Sequence, residues 1–180
     1  SNMQKINIGV PQGSILGPLL FAIYINDLPN TLDSFKNIMY ADDTNVFRSN
    51  KKIDELINEI NNGVQLFIKW FRDNKLTINK EKTKLMVFGP VQYLNYKEPF
   101  KISVDGETVI ETKLTNFLGV NIDSKLTFKQ HLSCVAAKLA KSLGAINRIK
   151  FFLPRRSLNI LYNSICVPHL VYGNIIWAST

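Results

Sequence analysis

Apolar residues recur at helical spacing from Ile53 through Leu56, Ile57, Ile60, Val64, Phe67 and Ile68 to Phe71. The spacing predicts a long amphipathic helix that begins after Ser49-Asn50 and lies under a sheet. Upstream, an almost unbroken apolar stretch from Leu16 to Leu28 predicts a buried helix, capped by Ser14 and stopped before Pro29. Between these helices two short strand-like runs, 37–41 and 44–47, are joined by Asp42-Asp43 and predict a tight hairpin. Residues 85–88 read as another strand and 102–110 as a hairpin whose Asp105-Gly106 pair suits a type I′ turn. A further strand is predicted over 117–122. Beyond Asp123 the pattern turns helical, over 129–151, over 155–165 and after Pro168. No internal repeat or low-complexity linker interrupts it. The fold class is therefore α+β: hairpins packed on helices over 4–123, a boundary near Ser124, and a small helical region over 124–180.

Composition narrows this picture. In 180 residues that are 46% hydrophobic, no apolar run reaches membrane-spanning length, so a packed core is expected and a membrane partner is not. The opening Ser1-Asn2-Met3 reads as the remnant of a cleaved tag and is set apart from the fold. Cys134 and Cys166 stand far apart without zinc-knuckle spacing, and His131 and His169 fall in apolar-periodic stretches. Reduced cysteines in an intracellular protein, of nucleus or cytoplasm, are the expectation. Trp70, Trp177 and Phe151-Phe152 read as core or interface residues rather than base-stacking platforms.

Charge is divided unevenly. Up to Asp123 there are 14 Lys/Arg and 14 Asp/Glu, whereas from Ser124 onward there are 8 Lys/Arg and no carboxylate, so the whole net charge of +8 lies in the last third. A one-sign block in a foldable sequence points to an anionic partner, usually a phosphate backbone or a membrane surface, a solvated basic face being the plainer alternative.

Adjacent carboxylates on a hairpin repel each other and raise each other's pKa unless a cation lies between them. Asp42-Asp43 is open to two readings. Aspartate is a good turn former, so the pair by itself can be a plain turn. The chemical reading is a pair of divalent ions roughly 3.5 to 4 Å apart, held by oxygen ligands and serving phosphoryl transfer.

The surroundings decide between them. Tyr40-Ala41-Asp42-Asp43 lies between apolar strands. It is preceded by Gly9-Val10-Pro11-Gln12-Gly13-Ser14-Ile15-Leu16-Gly17-Pro18-Leu19-Leu20-Phe21 and by Ile25-Asn26-Asp27-Leu28. It is followed by the run from Asn74 to Lys84, by Phe88-Gly89 and by Phe117-Leu118-Gly119-Val120. In this order the motifs strongly resemble the palm of reverse transcriptases over nearly the whole chain. Enzymes of non-LTR retrotransposons match best, the jockey-like kind above all. Group II intron enzymes share the acidic motif.

The resemblance implies an RNA-directed DNA polymerase, a nucleotidyltransferase that adds deoxynucleotides to a primer 3′ end on an RNA template. Its implied cofactor is Mg2+, with Mn2+ as a substitute, and its implied partners are an RNA template with a DNA primer and deoxynucleoside triphosphates. Asp42 would be the principal metal ligand and Asp43 its neighbour. Pro11, Gln12 and Gly13 would meet the template base and incoming nucleotide, Gly13 by allowing close backbone approach. Lys82 would assist pyrophosphate departure, with Lys80 and Lys84 as competitors. Leu118 and Gly119 resemble the primer grip. The basic helices resemble a thumb, with Lys138, Lys141, Arg148 and Lys150 as contacts to the nucleic-acid backbone.

One departure from the family stands out. Its members carry a further metal-binding aspartate upstream of the Pro-Gln-Gly loop, with the fingers, and residues 1–9 contain no acidic residue. A palm-plus-thumb fragment, inactive by itself and prone to homo-oligomer formation through uncovered apolar surface, is therefore expected. The alternative function is a noncatalytic nucleic-acid-binding module derived from such a polymerase.

Overall fold

A computed structural model describes residues 9–10, 13–32, 34–90 and 99–178. The tag-like opening lies outside them. The order of elements is α1 (Gly17–Tyr24), a 3-10 turn (Leu28–Leu32), β1 (Lys36–Tyr40), β2 (Asp43–Phe47), α2 (Ile53–Asp73), β3 (Lys101–Val104) and β4 (Glu107–Ile110). Then follow β5 (Leu114–Phe117), β6 (Val120–Asp123), α3 (Lys129–Ile149), α4 (Arg155–Ile165), α5 (Val167–Val171) and α6 (Asn174–Trp177). The class is α+β, as expected, and the strands among the described residues form three separate antiparallel hairpins, β1-β2, β3-β4 and β5-β6.

Two compact units are present. One holds the chain up to Thr83 with Phe100–Ile110, and the other holds the rest. Hairpin β5-β6 belongs with the terminal helices, so a cut at Ser124 falls inside the second unit, between β6 and α3.

The first unit is built on α2, whose face carries Phe67, Trp70 and Phe71. Ile25, Leu28 and Trp70 are buried together, with Phe21, Met39 and Leu76 packed against them. The Trp70 indole also donates to Asp27 Oδ2 at 3.4 Å. The inward residues of β3, Ile102 and Val104, are buried, and β3 is tied to α2 by Gln65 Nε2 donating to the Ser103 carbonyl at 3.2 Å. Gly63 of α2 has the Phe35 ring so close that an added Cβ would lie 2.4 Å from it, which explains a glycine in mid-helix.

Several local expectations need correction. The first helix is shorter, ending at Tyr24, and its N-cap is Leu16. Ser14 contributes its carbonyl, which accepts from the Gly17 N–H at 3.3 Å, and no side-chain cap. After Tyr24 the chain tightens, with the Asn26 N–H donating to the Ile23 carbonyl at 3.3 Å and the Leu28 N–H to the Ile25 carbonyl at 3.1 Å, and it runs into the 3-10 turn that holds Pro29. The predicted strand over 85–88 reduces to a single bridge, Leu85 with Glu111, because no neighbouring strand among the described residues continues the ladder. The predicted strand over 117–122 is instead a hairpin, since Leu118 and Gly119 both take positive φ (46° and 82°) and turn the chain. The Asp105-Gly106 turn behaves as expected, with φ of 51° and 83°.

The second unit has its core in Val120, Phe128 and Trp177, with Ile122 against it. Asp123 organises the entry to α3. Its carboxylate accepts from the backbone N–H groups of Lys125, Thr127 and Phe128 and from the Thr127 hydroxyl. Partial burial works against ionisation there, but these hydrogen bonds outweigh it and hold the carboxyl below its ordinary pKa. No helix among the described residues is long and apolar enough to cross a membrane.

Candidate functional site

The acidic motif sits on the β1-β2 hairpin. The register pairs Lys36 with Phe47, Met39 with Thr44 and Tyr40 with Asp43. The turn is therefore Ala41-Asp42, one residue earlier than the Asp42-Asp43 turn expected, because Asp43 is held in the ladder opposite Tyr40. Ladder pairing also sets the faces. Met39 packs on the core with Trp70, while Ile38 and Tyr40 point out and are 60% and 64% exposed. Ala41 adopts φ 52°, a conformation that residues with a Cβ seldom take and that costs on the order of 1–3 kcal/mol. Asp42 and Asp43 are thus presented at the exposed tip of a hairpin anchored by Met39.

Of the other expected residues, Pro11 and Gln12 lie outside the described residues. Gly13 has φ 84° and open space where a Cβ would stand, so the backbone there can be approached closely. Lys80 is engaged by the β3-β4 hairpin, with its ammonium 2.9 Å from Glu107 and donating to the Asp105 carbonyl at 3.2 Å. Asp105 is further bonded by Arg72, which holds its carboxyl below the usual range. Lys82 and Lys84 are exposed. Among the described residues no group of three or more His, Cys, Asp or Glu gathers to hold a metal ion. Asp42 and Asp43 offer the hard oxygen donors that Mg2+ or Mn2+ prefers, and as two adjacent carboxylates they fit part of such a shell.

In the second unit, Leu118 and Gly119 form the apex of the β5-β6 hairpin. Tyr172, which no motif or spacing marks out, holds them: its hydroxyl donates to the Leu118 carbonyl at 2.6 Å, and its ring lies against Gly119, 3.4 Å from where a Cβ would be. Tyr172 is fixed in turn by Trp177, whose indole donates to the Tyr172 carbonyl at 2.9 Å. His131 is buried beside Trp177, its Nδ1 accepting the Asn121 N–H at 3.3 Å. Burial, with the nearby Lys138 charge adding to it, pushes its pKa down. Cys134 and Cys166 are free thiols.

The expected backbone contacts lie on α3 and at its end. Lys138, Lys141 and Arg148 are exposed and, at 3.6 residues per turn, fall within about 80° of one another. Lys150 follows the helix as its C-cap, with its ammonium 4.9 Å from the Phe151 ring centre. Trp70 and Trp177 are core residues, within the core-or-interface expectation. Phe151 and Phe152 are not core, each being 84% exposed.

Residues 2–122 match the family model described as reverse transcriptase (RNA-dependent DNA polymerase). The chain is 27% identical to the RNA-directed DNA polymerase from mobile element jockey of Drosophila melanogaster, with 96% of the chain aligned. It is 29% identical to the probable RNA-directed DNA polymerase from transposon X-element of the same fly, with 98% aligned. It is 23% identical to a retrovirus-related Pol polyprotein from type-1 retrotransposable element R1 of Nasonia vitripennis, with 94% aligned. The chain spans 20% of the length of the first two relatives and 43% of the third. No solved structure matches it significantly. With the match to the family model covering 2–122 and the acidic Tyr40-Ala41-Asp42-Asp43 hairpin inside it, the chain belongs to the reverse transcriptase family.

Proposed function

We propose that this chain is the palm remnant (4–123) and thumb (124–180) of an RNA-directed DNA polymerase of a non-LTR retrotransposon, and that it supplies part of the catalytic centre. The observation that carries this reading is the Asp42-Asp43 pair on a strained hairpin tip, within a sequence that matches the family from residue 2 to 122. Asp42 is the principal ligand of a Mg2+ pair (Mn2+ as substitute) and Asp43 assists. When bound, the ions supply activation of the primer 3′ hydroxyl and stabilisation of the leaving pyrophosphate. Gly13, with Pro11 and Gln12, lets template and nucleotide approach the backbone. Lys82 is favoured over Lys80 as the cation at the departing pyrophosphate, because Lys80 is already paired with Glu107. Leu118 and Gly119 support the primer end, held by Tyr172.

The test is primer extension on an RNA template with Mg2+ and with Mn2+. Two carboxylates leave one ion short of protein ligands, so the 180-residue chain is expected to add no nucleotide. Joined to the segment that precedes it in its natural reading frame, it should gain activity. Extension by the short chain overturns the incomplete-site reading, and an inert longer protein favours the noncatalytic nucleic-acid-binding alternative.

Two further expectations follow from the surfaces. The basic face of α3 should bind a primer-template duplex through phosphates with little sequence preference, so log affinity falls linearly with log salt, and Lys141→Ala should reduce the slope by about one unit. Salt-independent binding would remove α3 from this role. Self-association should also occur, since Leu16, Leu19 and Ile23 around α1 are 60%, 58% and 64% exposed. Light scattering that shows a monomer at micromolar concentration would count against it.

A further inference from the structure

We infer that the turn between α3 and α4 is a stacking site for unpaired nucleobases, in which Phe151 and Phe152 take the bases and Lys150, Arg155 and Arg156 take the adjoining phosphates. Two adjacent phenylalanines, each 84% exposed, forfeit the hydrophobic stabilisation that ordinarily hides such side chains. They do so on an ordered turn. The Phe152 N–H donates to the Ile149 carbonyl at 2.9 Å, and Pro154 starts α4 by accepting from the Ser157 and Leu158 N–H groups at 3.0 and 3.2 Å.

Charge identifies the occupant. Lys150 stands over the Phe151 ring at 4.9 Å, and the first two residues of α4 are Arg155 and Arg156, both exposed, in a segment without a carboxylate from Ser124 to Thr180. Two arginines in the first turn of a helix are disfavoured by the helix dipole, so they weaken the fold unless an anion approaches. Beside Lys150 a shallow, mainly apolar hollow of about 580 Å³ opens between α3 and α4, lined by Leu143, Gly144, Ile146, Asn147 and Leu158, with no acidic residue in its wall. Aromatic faces interleaved with cations, and nothing that repels a phosphate, are the elements that grip single strands without regard to sequence. A second copy of this helical region, which has no Asp or Glu from Ser124 onward, would cover the phenylalanines but leave the arginines unpaired.

This inference rests on the reading that the helical region meets nucleic acid, and it adds to the duplex contacts of α3 a separate preference for unpaired strand. The experiment compares labelled oligo(dT) and a blunt duplex by fluorescence anisotropy at several salt concentrations, using the full chain. Phe151→Ala with Phe152→Ala should weaken oligo(dT) binding by roughly thirtyfold or more, leave the salt slope unchanged and leave duplex binding unchanged. The double tyrosine variant should retain binding, because it keeps the rings. Arg155→Ala with Arg156→Ala should instead flatten the slope, by about 0.7 for each phosphate that is no longer neutralised. Oligo(dT) binding by the double alanine variant equal to that of the unmodified chain would overturn the inference while leaving duplex binding by α3 intact. Absence of binding to either probe would overturn both. Loss of self-association in that variant without loss of oligo(dT) binding would assign the phenylalanines to a protein interface. Phenylalanine-dependent binding to phosphatidylserine vesicles, without binding to oligo(dT), would assign them to a lipid surface. Either result refutes the stacking site.

Discussion

Asp42→Asn, introduced into a polymerase that contains this segment and its upstream region, is expected to lower primer extension by on the order of a thousandfold, because metal stabilisation of transition-state charge is worth several kcal/mol and each 1.36 kcal/mol is a factor of about ten. The substitution keeps the size of the side chain and its capacity to form the turn, so the hairpin should persist, with Tyr40 still opposite Asp43 and Met39 still on the core. What changes is the donor. An amide oxygen carries no formal charge and holds a hard divalent ion weakly. Asp43→Asn should do less, since the proposed reading gives Asp43 only the assisting role. The check is single-turnover extension in Mg2+ and in Mn2+, with circular dichroism to show that the fold is kept. An Asp42→Asn enzyme with undiminished extension would separate this hairpin from catalysis.

The second large effect concerns what holds that hairpin. Trp70→Ala should destabilise the first unit by about 3–5 kcal/mol, the range for removing a large buried aromatic side chain, and so take away much of the stability of a small domain. Trp70 is 7% exposed, packs with Ile25 and Leu28, and is flanked by Phe67, Phe71 and Met39, so its loss leaves a cavity beside Met39 of the acidic hairpin. Urea denaturation followed by circular dichroism measures this. Ile15→Ala is the control: at 95% exposure Ile15 should change stability by no more than about 0.5 kcal/mol. A small loss for Trp70→Ala would mean that this cluster is not what supports the hairpin.

Family, class and much of the element order were legible from residue order. The 3.6-residue period of 53–71 marks α2 because one face must be apolar to pack, and Asp105-Gly106 marks a hairpin because that turn requires two positive φ angles. Tyr40-Ala41-Asp42-Asp43 was legible as a family motif only through the motifs around it, since an Asp pair by itself is open to a plain-turn reading. The absence of carboxylates after Ser124 was legible by counting. The helical period and the turn are local properties, set by neighbours within a few positions.

Whatever depends on distant partners was decided only by tertiary structure. Pairing of Asp43 with Tyr40 moved the acidic turn to Ala41-Asp42, since a ladder chooses its register by which residues reach the core, here Met39. The turn at Leu118-Gly119 has its latch in Tyr172, 54 residues further on, where no spacing rule connects them. Residues 85–88 have strand-like composition and form one bridge, because a strand exists only where another strand meets it. Phe151 and Phe152 read as core or interface residues by type, and only the tertiary structure excludes the core, since both are 84% exposed on the turn after α3.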